Sequence, residues 1–306
     1  MKNASLTVSL AGLRLANPTM LASGILGYSV ETFESIAKGG AGAVVTKSVG
    51  LKPREGYANP TVVQVSSGLV NAMGLPNPGI QEFVQEIRKA KAALRLPLIV
   101  SVYGFSADEY ATVAGRAVAA GADAIELNVS CPHVKGTGSE IGQSSQVLIQ
   151  VVRKVKHTIN KPVFVKLSPN VTSIEEIAEA AANAGADALT IMNTVKALAI
   201  DAETMMPILA NKTGGLSGPA VKPIALRHVF SVYERVEVPI IGCGGISNWQ
   251  DAVEFLLAGA SAVQIGTAIS AMGPTVFEKV AHGISKYLKR KGLRSVNEIV
   301  GLSHRN

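Results

Sequence analysis

A short pattern, Gly-Ala-x-Ala followed by an apolar residue, recurs along the chain and constrains its fold more than any other feature. It occurs at residues 121–125, 185–189 and 259–263, and a looser copy occupies 40–44. Each copy follows an alanine-rich or amphipathic stretch and precedes a short β-branched run. This order is typical of a helix that ends at a left-handed glycine and is followed by a tight turn and a buried strand. We therefore expect a repeated helix–turn–strand unit.

The number of buried apolar runs decides how the repeats assemble. Seven helical patterns and eight candidate strands alternate over most of the 306 residues. Such alternation favours an α/β fold, a single (β/α)8 TIM barrel that forms one domain over residues 1–306. A doubly wound sheet would need Gly-x-Gly-x-x-Gly after its first strand, and the sequence has none there. The predicted strands are 18–23, 43–48, 98–103, 124–130, 163–168, 188–194, 240–244 and 262–267, and the predicted helices are 78–94, 106–120, 142–158, 173–184, 218–235, 247–258 and 275–290.

Two connections are too long to be plain linkers. They cover residues 49–77 and 195–217, and in a barrel both would lie on the same face. Long connections in a compact domain are usually functional or disordered. Because these two combine Gly, Pro and Asn with apolar residues, we expect them to be ordered covers over a site.

Composition and charge narrow the classes of function. Apolar residues make up 47% of the chain and charged residues 17%, which excludes wholesale disorder. The net charge of +7 suits anionic ligands, but no dense Lys/Arg run interleaved with aromatics indicates nucleic-acid binding. The two cysteines, Cys131 and Cys243, are too few for a disulfide framework, a four-cysteine zinc site or an iron–sulfur cluster, and we expect no metal site. No apolar run reaches the ~18–20 residues that span a bilayer, and no signal peptide is recognisable, so we expect a cytoplasmic protein without membrane contact.

Polar residues and glycines end the predicted strands, where a barrel places its active site. A single Ser or Asn at such a position commonly caps the next helix. Two lysines at the ends of apolar strands are harder to explain in that way, because Lys is rarely buried unless it is paired with an anion. The strand-end set is Ser23, Lys47, Ser101, Asn128, Lys166, Asn193, Gly244-Gly245 and Gly266-Thr267.

Glycines at the ends of strands seven and eight point to a phosphate-bearing ligand. They stand in the segments 242–246 and 266–267, at the usual phosphate site of these barrels. Without a side chain, they let backbone N–H groups approach phosphate oxygens. Turns also need glycines, so the interpretation depends on both segments together.

The segment 128–133, after the fourth predicted strand, contains the largest group of potentially catalytic side chains. Cys131 should open onto the barrel mouth, where a cysteine without a partner suits acid–base or nucleophilic work. His133 is close enough in sequence to form a Cys–His couple, although two loop residues need not touch. The glycines of 135–142 suit either a mobile lid or an ordinary flexible loop. Cys243 is interpreted as a small buried hydrophobe.

Five motifs in this order resemble the dihydroorotate dehydrogenase family. The similarity runs from about residue 5 to residue 301, and a cysteine in the fourth-strand loop is the mark of its class 1 members. The segment 57–60, with Gln64 and Ser67-Gly68, is similar to class 1B, the catalytic subunit of the NAD-dependent enzyme. The five motifs are Asn-Ala-Met-Gly-Leu-Pro-Asn-Pro-Gly at 71–79, Asn-Val-Ser-Cys-Pro at 128–132, Val-Lys-Leu-Ser-Pro-Asn at 165–170, Gly-Gly-Leu-Ser-Gly at 214–218 and Gly-Cys-Gly-Gly-Ile at 242–246.

The resemblance implies oxidation of (S)-dihydroorotate to orotate, in pyrimidine biosynthesis, on an FMN bound in the barrel mouth. Cys131 would be the base that removes the C5 proton while hydride leaves C6 for N5 of FMN. The positions implied for substrate are Lys47, Asn71, Ala72, Met73, Gly74, Leu75, Asn128, Asn193 and Thr194. Those implied for FMN are Ser23, Lys47, Ser48, Ser101, Asn128, Lys166, Met192, Gly218, Gly244, Gly245, Gly266 and Thr267.

Two residues depart from the family pattern. Ser101 stands where an Asn usually touches FMN, and His133 stands where Asn is common beside the base. A serine hydroxyl is shorter, so Ser101 would have to reach further or use a water. Neither departure removes a group that the reaction requires.

The resemblance also implies partners. With two cysteines and no dinucleotide-binding turn after a strand, the chain lacks a means to pass electrons to NAD alone. A class 1B enzyme implies an electron-transfer subunit that carries FAD and a [2Fe–2S] cluster, bound to a catalytic homodimer in a heterotetramer. The alternatives are a fumarate-using class 1A enzyme, a dihydropyrimidine dehydrogenase-like flavin barrel and a non-catalytic phosphate-binding barrel.

Overall fold

The computed structural model describes residues 4–129 and 142–305. Its strands, in chain order, are β1 (Val8–Leu10), β2 (Leu13–Leu15), β3 (Thr19–Leu21), β4 (Ala43–Val45), β5 (Val62–Val65), β6 (Gly68–Asn71), β7 (Leu98–Val102), β8 (Ala124–Asn128), β9 (Val163–Lys166), β10 (Ala188–Ile191), β11 (Val195–Leu198), β12 (Ile200–Asp201), β13 (Met206–Pro207), β14 (Thr213–Ser217), β15 (Ile240–Cys243) and β16 (Ala260–Ile265). Its α-helices are α1 (Val30–Lys38), α2 (Ile80–Ala93), α3 (Ala107–Ala119), α4 (Ser145–Thr158), α5 (Ile174–Asn183), α6 (Lys222–Tyr233), α7 (Trp249–Leu257), α8 (Ala268–Met272) and α9 (Val276–Arg290). Short 3-10 helices cover Pro219–Val221, Val296–Ile299 and Leu302–His304.

Eight strands close into a parallel barrel, which confirms the (β/α)8 prediction. Strands β3, β4, β7, β8, β9, β10, β15 and β16 follow one another around the ring in chain order. Each predicted strand corresponds to one of them, and most barrel strands are buried on both faces, as parallel strands covered by helices should be. All carboxyl ends therefore meet at one mouth of the barrel.

The predicted helices are also present, and the described residues form two more α-helices. The helices α1 and α8 were not among the predicted ranges, because their nine and five residues span too few turns for a helical pattern to be recognised. The predicted helix 218–235 divides into the 3-10 turn Pro219–Val221 and α6.

The glycines of the repeated pattern take the conformation that was predicted for them. Gly121 has φ +113° and Gly185 has φ +102°, in the left-handed region that closes a helix. Two residues further on, each turn carries an aspartate that ties neighbouring elements together. The Asp123 carboxylate accepts from the Lys91 ammonium at 2.7 Å and from the Leu98 N–H at 2.8 Å. Asp187 repeats this arrangement with the Lys156 ammonium and the Val163 N–H.

The two long connections form ordered structure over the barrel mouth, as predicted, and they pair with each other in one sheet, which was not predicted. The hairpin β5–β6 lies in one connection and β11 and β14 lie in the other, and the four strands pair in the order β11-β14-β6-β5. One face of this cap sheet holds a small core of Val70, Ala72 and Leu209. Within the residues that the structure describes, no helix is both long enough and apolar enough to cross a membrane.

Candidate active site

A cavity of about 340 Å³ lies between the barrel mouth and the cap sheet. Its volume falls within the range of about 300–1,000 Å³ that is usual for small-molecule sites. The floor consists of residues at the carboxyl ends of barrel strands, and Leu69 and Leu216 contribute from the cap sheet. This is where a barrel of this type places its chemistry.

Most of the predicted site residues line this one cavity, although they are spread from position 23 to position 267. Their side chains converge because each follows a different strand of a closed ring. The lining includes Ser23, Lys47, Ser48, Asn71, Met73, Gly74, Leu75, Asn128, Lys166, Met192, Asn193, Thr194, Gly218, Gly244, Gly245, Gly266 and Thr267.

Two predicted residues lie off the cavity lining. Successive side chains of an extended segment point to opposite faces, so Leu69, Asn71 and Met73 line the cavity while Ala72 packs in the small core of the cap sheet. Ser101 is fully buried beneath the lining. Cys131 and His133 lie outside the described residues, as do positions 135–141 of the segment considered as a lid.

Ser48 connects the buried Ser101 to the cavity. The two hydroxyl oxygens are 2.9 Å apart. The Asn128 side-chain amide donates to Ser48 Oγ, also at 2.9 Å, and Ser23 Oγ lies 3.5 Å from the same atom. On sequence grounds, Ser101 would have to reach further or use a water. In the structure, Ser101 is instead connected to the cavity lining through Ser48.

Lys166 is buried at the floor of the cavity within a polar cluster. Its Nζ donates to Gln264 Oε1 at 3.0 Å, and Gln264 Nε2 donates to Glu126 Oε2 at 2.6 Å. Burial acts to lower the pKa of Lys166, whereas the Cys243 sulfur, where it is ionised, and the Glu126 carboxylate act to raise that pKa. Burial in turn raises the pKa of the Cys243 thiol. The floor thus presents a protonated ammonium beside a neutral thiol.

Lys47 supplies a second cation, in a different environment. Its Nζ lies 4.4 Å from the centroid of the Tyr28 ring, and within the described residues it forms no ion pair. Burial lowers the pKa of Lys47. A half-buried ammonium without a counter-ion favours the binding of an anion from solution.

Glycine backbone forms another part of the wall, at the ends of β15 and β16. Gly244 and Gly245 have φ +125° and +78°. A β-carbon on Gly245 would lie 2.7 Å from Lys222 Cβ. The loop is fixed by Asp251, which accepts from the Lys222 ammonium at 2.8 Å and from the Ser247 N–H at 2.9 Å. These glycines, followed by the short helix α8, match the usual phosphate site of (β/α)8 barrels.

The loop 71–75 is held against the cavity by side chains from neighbouring segments. Arg54 Nε donates to the Gly74 carbonyl at 2.7 Å, and Asn77 Nδ2 donates to the Leu75 carbonyl at 2.9 Å. Asn71 Nδ2 donates to the Gly215 carbonyl at 3.3 Å, across the cap sheet. The loop is therefore held in position by contacts within the chain itself.

Comparison with known proteins identifies this arrangement. The family model for dihydroorotate dehydrogenase matches residues 5–288. The chain belongs to the dihydroorotate dehydrogenase family. The resemblance stated from the five motifs is thereby confirmed.

Several dihydroorotate dehydrogenases are similar to the chain over nearly its whole length. A protein of Pyrococcus abyssi is 53% identical over 298 residues, which cover 97% of this chain and 99% of that protein. One of Pyrococcus furiosus is 51% identical, with 98% and 99% covered, and one of Methanothermobacter thermautotrophicus is 49% identical, with 98% of each covered. All three are named dihydroorotate dehydrogenase B (NAD(+)), catalytic subunit.

Among the residues that sequence reasoning missed around the site of this dihydroorotate dehydrogenase family member, four carry a titratable or amide side chain that bears on its chemistry. Tyr28 and Gln264 line the cavity, and Glu126 lies fully buried below it. Cys243 is buried, as the small-hydrophobe interpretation predicted, but it also lines the cavity beside Lys166. Glu126 and Gln264 gave the same signal as the two lysines, namely a polar residue within an apolar strand.

Proposed function

We propose that the chain is the FMN-binding catalytic subunit of an NAD-dependent dihydroorotate dehydrogenase, which oxidises (S)-dihydroorotate to orotate in pyrimidine biosynthesis. The observation that carries this proposal is the 53% identity to a protein of that name, over 97% of this chain and 99% of that one. The cavity supports it, because it combines the buried Lys166, the half-buried Lys47, several amide side chains and a glycine wall.

The residues present fit an FMN. Its phosphate suits the backbone of Gly218, Gly244 and Gly245, where positive φ angles and the absence of side chains let N–H groups approach an anion. The segment 266–267 lines the cavity beside them. Lys166 suits the end of the flavin that becomes negative on reduction. When bound, FMN supplies the acceptor for hydride. Ser23, Lys47, Ser48, Met192 and Asn128 complete the proposed set, and Ser101 acts through Ser48.

Dihydroorotate is an anion with amide edges, and the remaining lining matches it. The Lys47 ammonium, unpaired within the described residues, suits the substrate carboxylate. The side chains of Asn71, Asn128 and Asn193 offer both amide donors and carbonyl acceptors. Thr194 and the segment 72–75 complete the proposed contacts, with Ala72 restricted to its backbone because its side chain faces the cap-sheet core.

The chemistry is proposed to depend on Cys131, which lies outside the described residues. Its thiolate takes the proton from C5 of dihydroorotate, and the hydrogen on C6 leaves with its electron pair. The electrons of the C5–H bond then form the second bond between C5 and C6. The amide side chains of the cavity would hold the substrate ring by hydrogen bonds, and Lys166 would offset the negative charge that develops in the cavity.

We further propose a partner subunit that carries FAD and a [2Fe–2S] cluster and delivers the electrons to NAD, with two catalytic chains as a homodimer. The words "catalytic subunit" in the names of the relatives support a partner.

The test is an anaerobic half-reaction. The purified chain is loaded with FMN and mixed with dihydroorotate, and the loss of the yellow flavin absorption is followed. We expect bleaching by dihydroorotate, little by dihydrouracil, no rapid reoxidation by fumarate, and NAD reduction only when the partner is added.

Each other outcome has a defined meaning. Faster bleaching by dihydrouracil would indicate a dihydropyrimidine dehydrogenase-like barrel, and fumarate turnover would indicate a class 1A enzyme. Failure to bind FMN would favour a non-catalytic barrel. NAD reduction by the pure chain, free of FAD and iron, would refute the partner.

A further inference from the structure

Glu126 is a buried carboxylate to which the proposed reaction gives no role. It lies on β8 with its side chain in the barrel interior and no exposed surface. Its Oε2 accepts from Thr190 Oγ1 at 2.9 Å and from Gln264 Nε2 at 2.6 Å. Its Oε1 has no hydrogen-bond partner within the part of the chain that the structure describes. Burying such a group costs free energy unless it is paired, so its position needs an explanation.

The hydrogen-bond pattern indicates that Glu126 acts as an anion. An ionised carboxylate only accepts hydrogen bonds, and both groups that contact Oε2 are donors. A proton on Oε1 would be a buried donor without an acceptor. The carboxylate also fixes the Gln264 amide, because an NH₂ group that donates to Glu126 leaves the amide oxygen to face Lys166.

The charges around Lys166 can be assigned from the strands that surround it. Cys243 approaches from β15, Glu126 from β8 through Gln264 of β16, and Thr190 from β10. Burial raises the pKa of the Cys243 thiol, so this group is neutral at neutral pH. Among the described residues, Glu126 is therefore the anion that faces Lys166, although no direct ion pair joins them.

We infer that Glu126 is a positioning residue that acts through Gln264 to keep Lys166 protonated and directed into the cavity, and that it thereby sets how readily the bound flavin is reduced. The inference rests on the proposed function, which puts a flavin against Lys166. It assigns one task to three residues whose contacts are otherwise unexplained.

The inference predicts a pH signature in Glu126→Gln, a variant that keeps the shape and both acceptor contacts but loses the charge. Where Lys166 is protonated in both proteins, the uncompensated cation raises the flavin midpoint potential of the variant above that of the parent chain. Without its counter-charge, Lys166 loses its proton at lower pH. The potential of the variant therefore falls more steeply with pH and crosses below the parent value.

The experiment uses the FMN-loaded chain and needs no dihydroorotate. The midpoint potential is measured against reference dyes from mildly acidic to alkaline pH, together with the dissociation constant of sulfite, whose flavin adduct is stabilised by the same positive charge. At alkaline pH we expect sulfite to bind Glu126→Gln on the order of tenfold more weakly than the parent chain, the factor that corresponds to one pKa unit.

Matched variants separate positioning from structure. Thr190→Val removes the hydrogen bond from Thr190 to Glu126 but keeps the charge of Glu126 and its link to Lys166 through Gln264. The pH profile of this variant should therefore match that of the parent chain. In a Lys166→Met background, Glu126→Gln should produce no steeper fall, because the group through which it acts is gone. If Glu126→Gln fails to fold, Gln264→Leu can replace it, because this variant removes the link between Glu126 and Lys166. We expect its midpoint potential to fall with pH more steeply than that of the parent chain, but less steeply than that of Glu126→Gln.

Two results would overturn the inference: profiles of Glu126→Gln and Gln264→Leu that run parallel to the parent profile, or an unchanged effect of Glu126→Gln when Lys166 is absent. Its failure is distinguishable from failure of the proposed function. A crossing pH profile in a protein that dihydroorotate does not bleach supports the inference and contradicts the function. Bleaching by dihydroorotate together with parallel pH profiles would support the proposed function and contradict the inference.

Discussion

The Lys47 ammonium lies 4.4 Å from the centre of the Tyr28 ring. The ring is itself held edge-on by Phe83, with centroids 6.4 Å apart. Burial raises the pKa of Tyr28, so its phenol remains neutral. A neutral ring face attracts a cation without cancelling its charge. The contact therefore orients Lys47 while leaving its positive charge available to an anionic ligand.

Replacing Lys47 should weaken the binding of dihydroorotate and orotate more than that of FMN. A hydrogen bond to a charged group contributes about 1.5–3 kcal/mol, so Lys47→Met should raise the orotate dissociation constant by roughly 10- to 100-fold. Because burial lowers the pKa of Lys47, orotate affinity in the parent chain should fall as the pH rises through that lowered value. The variant should lose this dependence. Titration of the flavin spectrum with orotate measures both effects.

Two changes at Tyr28 serve as controls. Tyr28→Phe keeps the ring and should bind orotate like the parent chain, whereas Tyr28→Leu removes the ring and should bind it more weakly. Orotate affinity that is unchanged in Lys47→Met would contradict the assignment of this lysine.

The proposed base can be tested by single-turnover reduction of the flavin. Cys131→Ala should retain FMN, and its reduction by dihydroorotate should slow by about 10²- to 10⁴-fold, the usual loss when a general base is removed. Cys243→Ala is the control, because it removes the other cysteine without touching the proposed proton acceptor. Although Cys243 contacts Lys166, its loss should leave the rate of flavin reduction within severalfold of the parent rate. Near-normal bleaching of Cys131→Ala would exclude this base.

The glycine wall offers a test of the phosphate site. In Gly245→Ala the new β-carbon would lie 2.7 Å from Lys222 Cβ and 2.8 Å from the backbone nitrogen of Lys222, so the loop must shift. We expect FMN to dissociate at least about tenfold more readily, as measured by fluorescence recovery on release. Gly292→Ala is matched for backbone strain, with φ +71° and no atom within 4 Å, and it should bind FMN normally. Equal FMN affinity in both variants would contradict the proposal that the glycine wall binds the phosphate of FMN.

The aspartates that follow the repeated glycines should stabilise the barrel itself. Asp123→Ala leaves the buried Leu98 N–H without its acceptor and frees Lys91. Unsatisfied buried groups cost about 1–3 kcal/mol, and we expect a loss of that size in the free energy of unfolding by urea. Ser261 stands at the equivalent place of the third repeat, so Ser261→Ala should change stability little. A similar loss in both variants would show that the aspartate contacts contribute nothing specific.

The barrel could be predicted from the sequence because its signals are local. Each left-handed glycine, such as Gly121, marks a boundary within a few residues of the helix and the strand that it separates. Polar residues at the strand ends then converge on one cavity simply because the strands close into a ring. Lys47 and Lys166 stood out for the same local reason, as charges within apolar runs.

Other features depend on contacts that no local pattern contains. Gln264 and Glu126 meet although they are 138 positions apart, and only the closed barrel brings them together. The placement of Ala72 could have been predicted, since its neighbours alternate faces along an extended segment, but the family motif alone does not distinguish backbone from side-chain contact. The link from Ser101 to the lining depends on Ser48, which lies on another strand end.

The cap sheet has a consequence for how the protein is made. Asn71 and Gly215 meet in it across 144 positions of the chain, and closing so long a loop before its ends are held in place is entropically unfavourable. A ribosome that has released only the first half of the polypeptide therefore cannot yet have produced the roof of the cavity. Enclosure of any ligand in the cavity therefore has to wait until the strand that contains Gly215 has emerged.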